Sequence, residues 1–157
     1  MKKNNLTILL FSILLTYNCG FKVVNQSNIT PFQIAEILTD GNTKINYKIK
    51  NNLLMNSNKN AEKLIKIIIT TKIDKKIKEK NIKNEITKYQ VTITSKINYS
   101  EINSMKYNQF TITKTGDYTV ASQYSQTLNN EKKITELLSN TISEEILENF
   151  IRNSNAL

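Results

Sequence analysis

The chain has 157 residues, 22 of them Lys or Arg and 13 Asp or Glu, a formal charge of +9 with no histidine and one cysteine. That composition excludes His-based acid–base catalysis, Cys/His nucleophilic pairs, the common zinc ligand sets and an intramolecular disulfide. Lysine supplies 21 of the basic residues and Arg152 the only guanidinium; phosphate and base reading favour arginine's planar fork, so no nucleic-acid partner is expected. Asn, Ile and Lys, at 23, 23 and 21, dominate as AT-rich codons would make them. The positive charge therefore has two readings, an anionic partner or lysine as the default solvated residue.

Residues 1–18 predict an export signal. Lys2 and Lys3 open it, and Leu6 to Leu15 is an apolar run interrupted only by Thr7 and Ser12, too short to span a bilayer. Cys19 follows. A lone cysteine at the end of such a signal predicts a bacterial lipoprotein, with the signal cut before Cys19 and the thiol acylated with palmitate. Residues 19–31, ending at Pro31, then form a lipidated tether. The lipobox is irregular, with Thr16 and Asn18 where Leu and a small residue are usual. A plain signal peptide with an incidental cysteine and an uncleaved anchor are the other readings. Residues 32–157 are expected to form one domain of modest core.

FQIAEILT at 32–39 alternates weakly, with Phe32, Ile34 and Leu38 on one side and Ala35 and Ile37 on the other, as in a strand buried on two faces or a poorly marked one. Asp40-Gly41-Asn42 then breaks the chain and offers a helix cap. Over 43–56, Ile45, Ile49 and Leu53 step by four, while Ile45, Tyr47 and Ile49 also alternate; the pattern leans to a helix. Three strands follow. The first turns Ile65, Ile67, Ile69 and Ile73 to one face. The second does so with Tyr89, Val91, Ile93, Ile97 and Tyr99, and the third with Phe110, Ile112, Tyr118 and Val120. Thr and Lys alternate on the opposite face, which predicts one wet face and one core face. Residues 74–86, Lys-rich, predict a solvated hairpin extension. Gly116-Asp117 interrupts the last strand, as a bulge or twist would, with a bend at a binding edge as the functional alternative. From Leu128, the residues Ile134, Leu138, Ile142, Ile146 and Phe150 mark a long helix over 125–152. Leu137, Leu147 and Ile151 widen its stripe, and Glu131, Glu136, Glu144, Glu145 and Glu148 sit on its other face. The expected fold is an α/β (α+β) two-layer sandwich, strand-helix-strand-strand-strand-helix, with a four-stranded mixed sheet covered by two helices.

No convergent chemistry is visible. The three glycines stand apart at 20, 41 and 116, so no phosphate loop exists, and the carboxylates spread over solvent faces. A Ser–Lys dyad or a carboxylate pair remains formally possible, but the expectation is a protein that is not an enzyme and needs no cofactor or metal. Charge concentrates in the middle: residues 61–119 carry twelve Lys against six Asp and Glu. Lys72, Lys75, Lys76, Lys78, Lys80 and Lys83 form a candidate cluster for the phosphates of lipopolysaccharide, with the effect weakened by salt. A solvated hairpin that deters edge pairing is the equal alternative.

With its signal followed by Cys19-Gly20-Phe21, its element order, and the segment GDYTVASQYSQTLNNEKKITELLSNTISEEI at 116–146, the chain resembles the LPS-assembly lipoprotein LptE family. In that segment Tyr118 and Tyr124 flank the turn into the final helix. The resemblance implies an outer-membrane lipoprotein on the periplasmic side, held to the membrane by its lipid anchor. It implies a plug and assembly partner of the LptD β-barrel that assists lipopolysaccharide transport. Gly20 after the cysteine agrees with outer-membrane sorting in that family. The residue-level alternative is an outer-membrane lipoprotein that binds an anionic ligand without a barrel partner.

Overall fold

The computed structural model describes residues 30–102, 104 and 107–154. The expected signal at 1–18, Cys19 and all but the last two residues of the expected tether lie outside the described residues. The order is β1 (Phe32–Gly41), α1 (Thr43–Met55), β2 (Lys63–Lys80), β3 (Ile86–Glu101), β4 (Tyr107–Thr119) and α2 (Tyr124–Ser154). One sheet runs β1-β2-β3-β4, with β1 parallel to β2 and the other pairs antiparallel. Helix α1 is the crossover that a parallel pair requires. Both helices bury their apolar stripes on the same face of the sheet, in one core of isoleucine, leucine and aromatic residues. This is the expected two-layer sandwich.

Strand β1 departs from its expected alternation. A bulge between Ile34 and Glu36 shifts the register against β2. Phe32, Ile34 and Ile37 therefore all reach the core, and Leu38 is left 44% exposed. The extra residue, not burial on both faces, explains the apolar residues of both parities. At the strand's end Gly41 takes φ +93, and a Cβ there would stand 2.0 Å from the Thr71 carbonyl oxygen. Only glycine fits that approach.

The helical reading of 43–55 holds because of its cap. Asn42 Oδ1 accepts from the Ile45 amide at 3.1 Å. The Thr71 hydroxyl on β2 accepts from the Asn42 amide at 3.1 Å and donates to Asn46 Oδ1 at 2.8 Å, while the Asn46 amide donates to the Asp40 carbonyl at 2.9 Å. A buried polar knot thus fixes the β1–α1 turn to β2. It offsets the poor helix propensity of an Asn-rich, β-branched segment, whose Ile45, Ile49 and Leu53 are then buried.

Strands β2 and β3 make the long hairpin expected at 74–86. Its turn is an Asx type: Asn81 Oδ1 accepts from the Lys83 and Glu85 amides at 2.9 and 3.0 Å, and Asn84 takes φ 64. Strand β4 pairs without a register shift through Gly116, so no bulge stands there. A Cβ at Gly116 would lie 2.6 Å from Ile134 Cδ1, and the glycine lets α2 seat directly on β4. Helix α2 buries Leu138, Ile142, Ile146 and Phe150, but Leu128 and Leu137 remain 46% and 58% exposed. Phe150 meets the rings of Phe32, Tyr99 and Phe110 at centroid distances of 5.5, 4.8 and 5.9 Å, joining β1, β3 and β4 in one aromatic cluster.

Candidate interaction surface

Opposite the helices no described residue covers the sheet. Its middle is a lattice of threonine: Thr92 and Thr115 hydroxyls lie 3.1 Å apart and Thr94 and Thr113 3.3 Å apart across β3 and β4. Such pairs satisfy hydroxyls without apolar burial, which is why this face can stay wet. Ion pairs border it, Lys66 with Glu36 at 2.6 Å on one side. On the other Lys78 joins Asp117, which also accepts from Gln90 at 3.3 Å. The Lys78 bond holds the Asp117 carboxyl below its ordinary range.

The six lysines of the hairpin do not form one patch. Lys72, Lys76 and Lys78, at even positions, face outward with the threonines. Lys76 pairs with Asp74 at 3.5 Å. Lys80 donates to Asn84 Oδ1 at 2.9 Å in the turn, where Lys83 is exposed. Lys75 lies on the opposite face, in register with the core positions Ile69, Thr71 and Ile73.

There its ammonium sits 2.7 Å from Glu131 Oε2, and 4.6 and 5.3 Å from the ring centres of Tyr89 and Tyr118. Tyr118 donates its hydroxyl to the same carboxylate oxygen at 2.7 Å. The two rings stack at 5.5 Å. Burial disfavours the Lys75 ammonium, but the bonds to Glu131 and Tyr118 outweigh it and hold its pKa above the ordinary lysine value. Burial likewise pushes the Glu131 carboxyl up, and the bonds from Lys75 and Tyr118 bring it below its usual range. Burial keeps the Tyr118 phenol high. Glu131 was expected on the solvent face of α2; it instead ties the hairpin to the helix. Glu145, expected beside it on that face, pairs with Lys114 of β4.

One lysine outside the expected cluster belongs with Lys72. Lys72 faces Thr94 and Lys96 faces Thr70 in the β2–β3 register, which makes Lys72 and Lys96 diagonal neighbours on the open face. The two occupy exposed positions amid threonine, and neither has an acidic ion-pair partner among the described residues. Period-two alternation already put Lys96 on that face; the register, invisible in the sequence, supplies the neighbour. On the helix side, an open groove of about 510 Å³ lies between the C-terminal halves of α1 and α2. Asn52 crosses it, donating to Asn140 and Ser143 at 3.0 Å each.

No family model and no curated protein matches the sequence. The fold does match solved structures. One is the rare lipoprotein B from Shewanella oneidensis, with TM-score 0.60 and 9% identity over 77% of this chain and 97% of that one. Another, described as a lipoprotein from Caulobacter crescentus CB15, gives 0.56 and 7% over 83% and 95%. The uncharacterized lipoprotein B from Nitrosomonas europaea gives 0.52 and 11% over 81% and 87%. The chain thus has a fold that solved bacterial lipoproteins carry, matched over nearly their whole length. At these identities the likeness is one of fold.

Proposed function

We propose that the chain is an outer-membrane lipoprotein, acylated at Cys19 and facing the periplasm, that plugs and helps assemble an LptD-type β-barrel. Through that barrel it assists lipopolysaccharide transport. Its role is non-catalytic, in keeping with a chain that has no histidine. The observation that carries the proposal is the uncovered threonine face behind a two-helix layer, on a fold shared with bacterial lipoproteins. A plug inside a barrel needs a stable body and a polar exterior that suits a water-filled lumen. The test is a mild-detergent pull-down of the tagged protein from its own outer membrane, with partners identified by mass. One large β-barrel in equal amount supports the proposal. A lipidated chain recovered alone refutes it.

The paired position of Lys72 and Lys96 favours a second reading, an anionic ligand held on the open face without a barrel. Charge reversal at Lys72 and Lys96 tests it: lipopolysaccharide binding by the chain recovered without a barrel should fall at low salt, and unchanged binding rejects this reading.

A further inference from the structure

The sheet has two edges, and the chain treats them differently. The β1 edge is covered at several points. The Asn58 amide donates to the Phe32 carbonyl at 3.2 Å, and the Ser57 hydroxyl accepts from the Ile34 amide at 2.8 Å. The bulge at Ile34/Glu36 bends the strand; beyond it Lys50 Nζ stands 3.5 Å from the Ile37 carbonyl, and Asn46 donates to the Asp40 carbonyl at 2.9 Å. These devices keep an edge from pairing with another chain.

The β4 edge has no such cover among the described residues. The Val120 amide donates to the Thr87 carbonyl at 2.9 Å. Even-numbered residues of β4 thus point their backbone groups at β3, and odd-numbered residues point theirs outward. Asn130 caps the outward Thr119 carbonyl at 3.0 Å. From Gln109 to Asp117, among the described residues, no side chain or loop meets the outward groups. Their side chains are exposed, and Leu137, 58% exposed, lies seven residues beyond Asn130 on the same flank of α2.

We propose that, in the chain free of any barrel, β4 pairs with β4 of a second copy, antiparallel about Thr113, to give a continuous eight-stranded sheet. The sequence of the edge is self-complementary in that register. Thr113 meets Thr113 of the second copy, Thr111 meets Thr115, and the Gln109 amide meets the Asp117 carboxylate. On the helix side Lys114 meets Ile112. No like charges face one another. A two-residue slip towards Asp117 sets Lys114 against Lys114 of the second copy, and a one-residue slip turns every side chain to the wrong face. The threonine rows of the open face run on across the seam, since Thr113 and Thr115 already bond to Thr94 and Thr92.

The test uses the chain with Cys19→Ser, so that the single thiol is the one introduced. Sedimentation equilibrium is expected to show a reversible dimer at micromolar concentration. Thr113→Pro, which removes an outward amide, should weaken it at least tenfold with an unchanged far-ultraviolet spectrum. If that variant does not fold, Thr113→Lys, which opposes two ammonium groups at the centre, gives the same readout. Under mild oxidation Thr113→Cys should be trapped as a disulfide dimer, while Thr94→Cys, in the middle of the same face, should not. A chain that stays monomeric, a dimer indifferent to both Thr113 variants, or capture at position 94 as fast as at 113 overturns the proposal.

Discussion

The contact between Lys75 and Glu131 should behave as one structural unit, measurable by a double-mutant cycle. Lys75→Met and Glu131→Gln keep volume while removing one charge each, and the four proteins are compared by urea denaturation. At an effective dielectric constant of about 20, two charges about 4 Å apart attract by about 4 kcal/mol. Desolvation and the ordering of two long side chains offset most of that, and exposed pairs retain roughly 0.2–1 kcal/mol. Here the side chains are 41% and 31% exposed, and the ammonium also lies over the rings of Tyr89 and Tyr118. A cation over a ring contributes about 0.5–1 kcal/mol at such sites. The expected coupling is about 1 kcal/mol, and Lys75→Met alone should cost about 1–2 kcal/mol because it also strips the ring contact.

The sign of the pH dependence follows from the two shifts. Glu131 titrates below its ordinary range, so its contribution is complete above that range and is lost as pH falls through the lowered folded value. Lys75 titrates above its ordinary range, so its contribution is complete below that range and is lost only as pH rises through the raised folded value. The coupling should therefore be flat from about pH 5 to about pH 10 and vanish in acid. Strict additivity, with coupling below about 0.3 kcal/mol at neutral pH, would refute this reasoning and return Lys75 to the solvated lysines. Charge reversal at Lys75 is accordingly a test of folding and not of ligand binding.

Four further outcomes are expected. Ser95 is 0% exposed with no bond to its hydroxyl among the described residues, so Ser95→Ala should raise stability by about 1 kcal/mol in urea. Gly116→Val drives carbon into Ile134 and Leu138 and should cost about 1–3 kcal/mol, more than any gain in strand propensity. Gly41→Ala meets both φ +93 and the Thr71 carbonyl, and a loss above about 2 kcal/mol is expected by the same assay. Cys19→Ser should abolish metabolic labelling with palmitate; label retained on the variant would place the lipid elsewhere.

Strands β2, β3 and β4 were legible because period-two alternation is strong wherever one face is buried and the other wet. Helix α2 was legible because its stripe repeats every four residues from Ile134 to Phe150. Strand β1 is legible as a strand but not in its faces, because a single inserted residue reverses parity halfway along, and parity is all that alternation reports. Helix α1 is only weakly legible because its propensity is poor, and what secures the helix is a hydrogen-bonded knot with Thr71, far along the chain. Gly116 resembled a bulge for a related reason: a missing side chain looks alike whether the strand bends or a helix presses on it.

Charge was the least legible quantity, for a physical reason. A run of lysines states how many charges are present, but their effect depends on what stands opposite. Lys75, Lys76 and Lys78 find Glu131, Asp74 and Asp117, and two of those three partners come from β4 and α2. The hairpin is in this way largely neutralised by chain that sequence reading assigned to other jobs. Lys96, too isolated in sequence to join any cluster, becomes the neighbour of Lys72 only when β2 and β3 pair. The residual positive field of this molecule is thus set by strand register. A one-residue slip between β2 and β3 would carry Lys96 to the core face and expose Ile97, so the hydrophobic pattern that fixes the fold also fixes where an anion can be met.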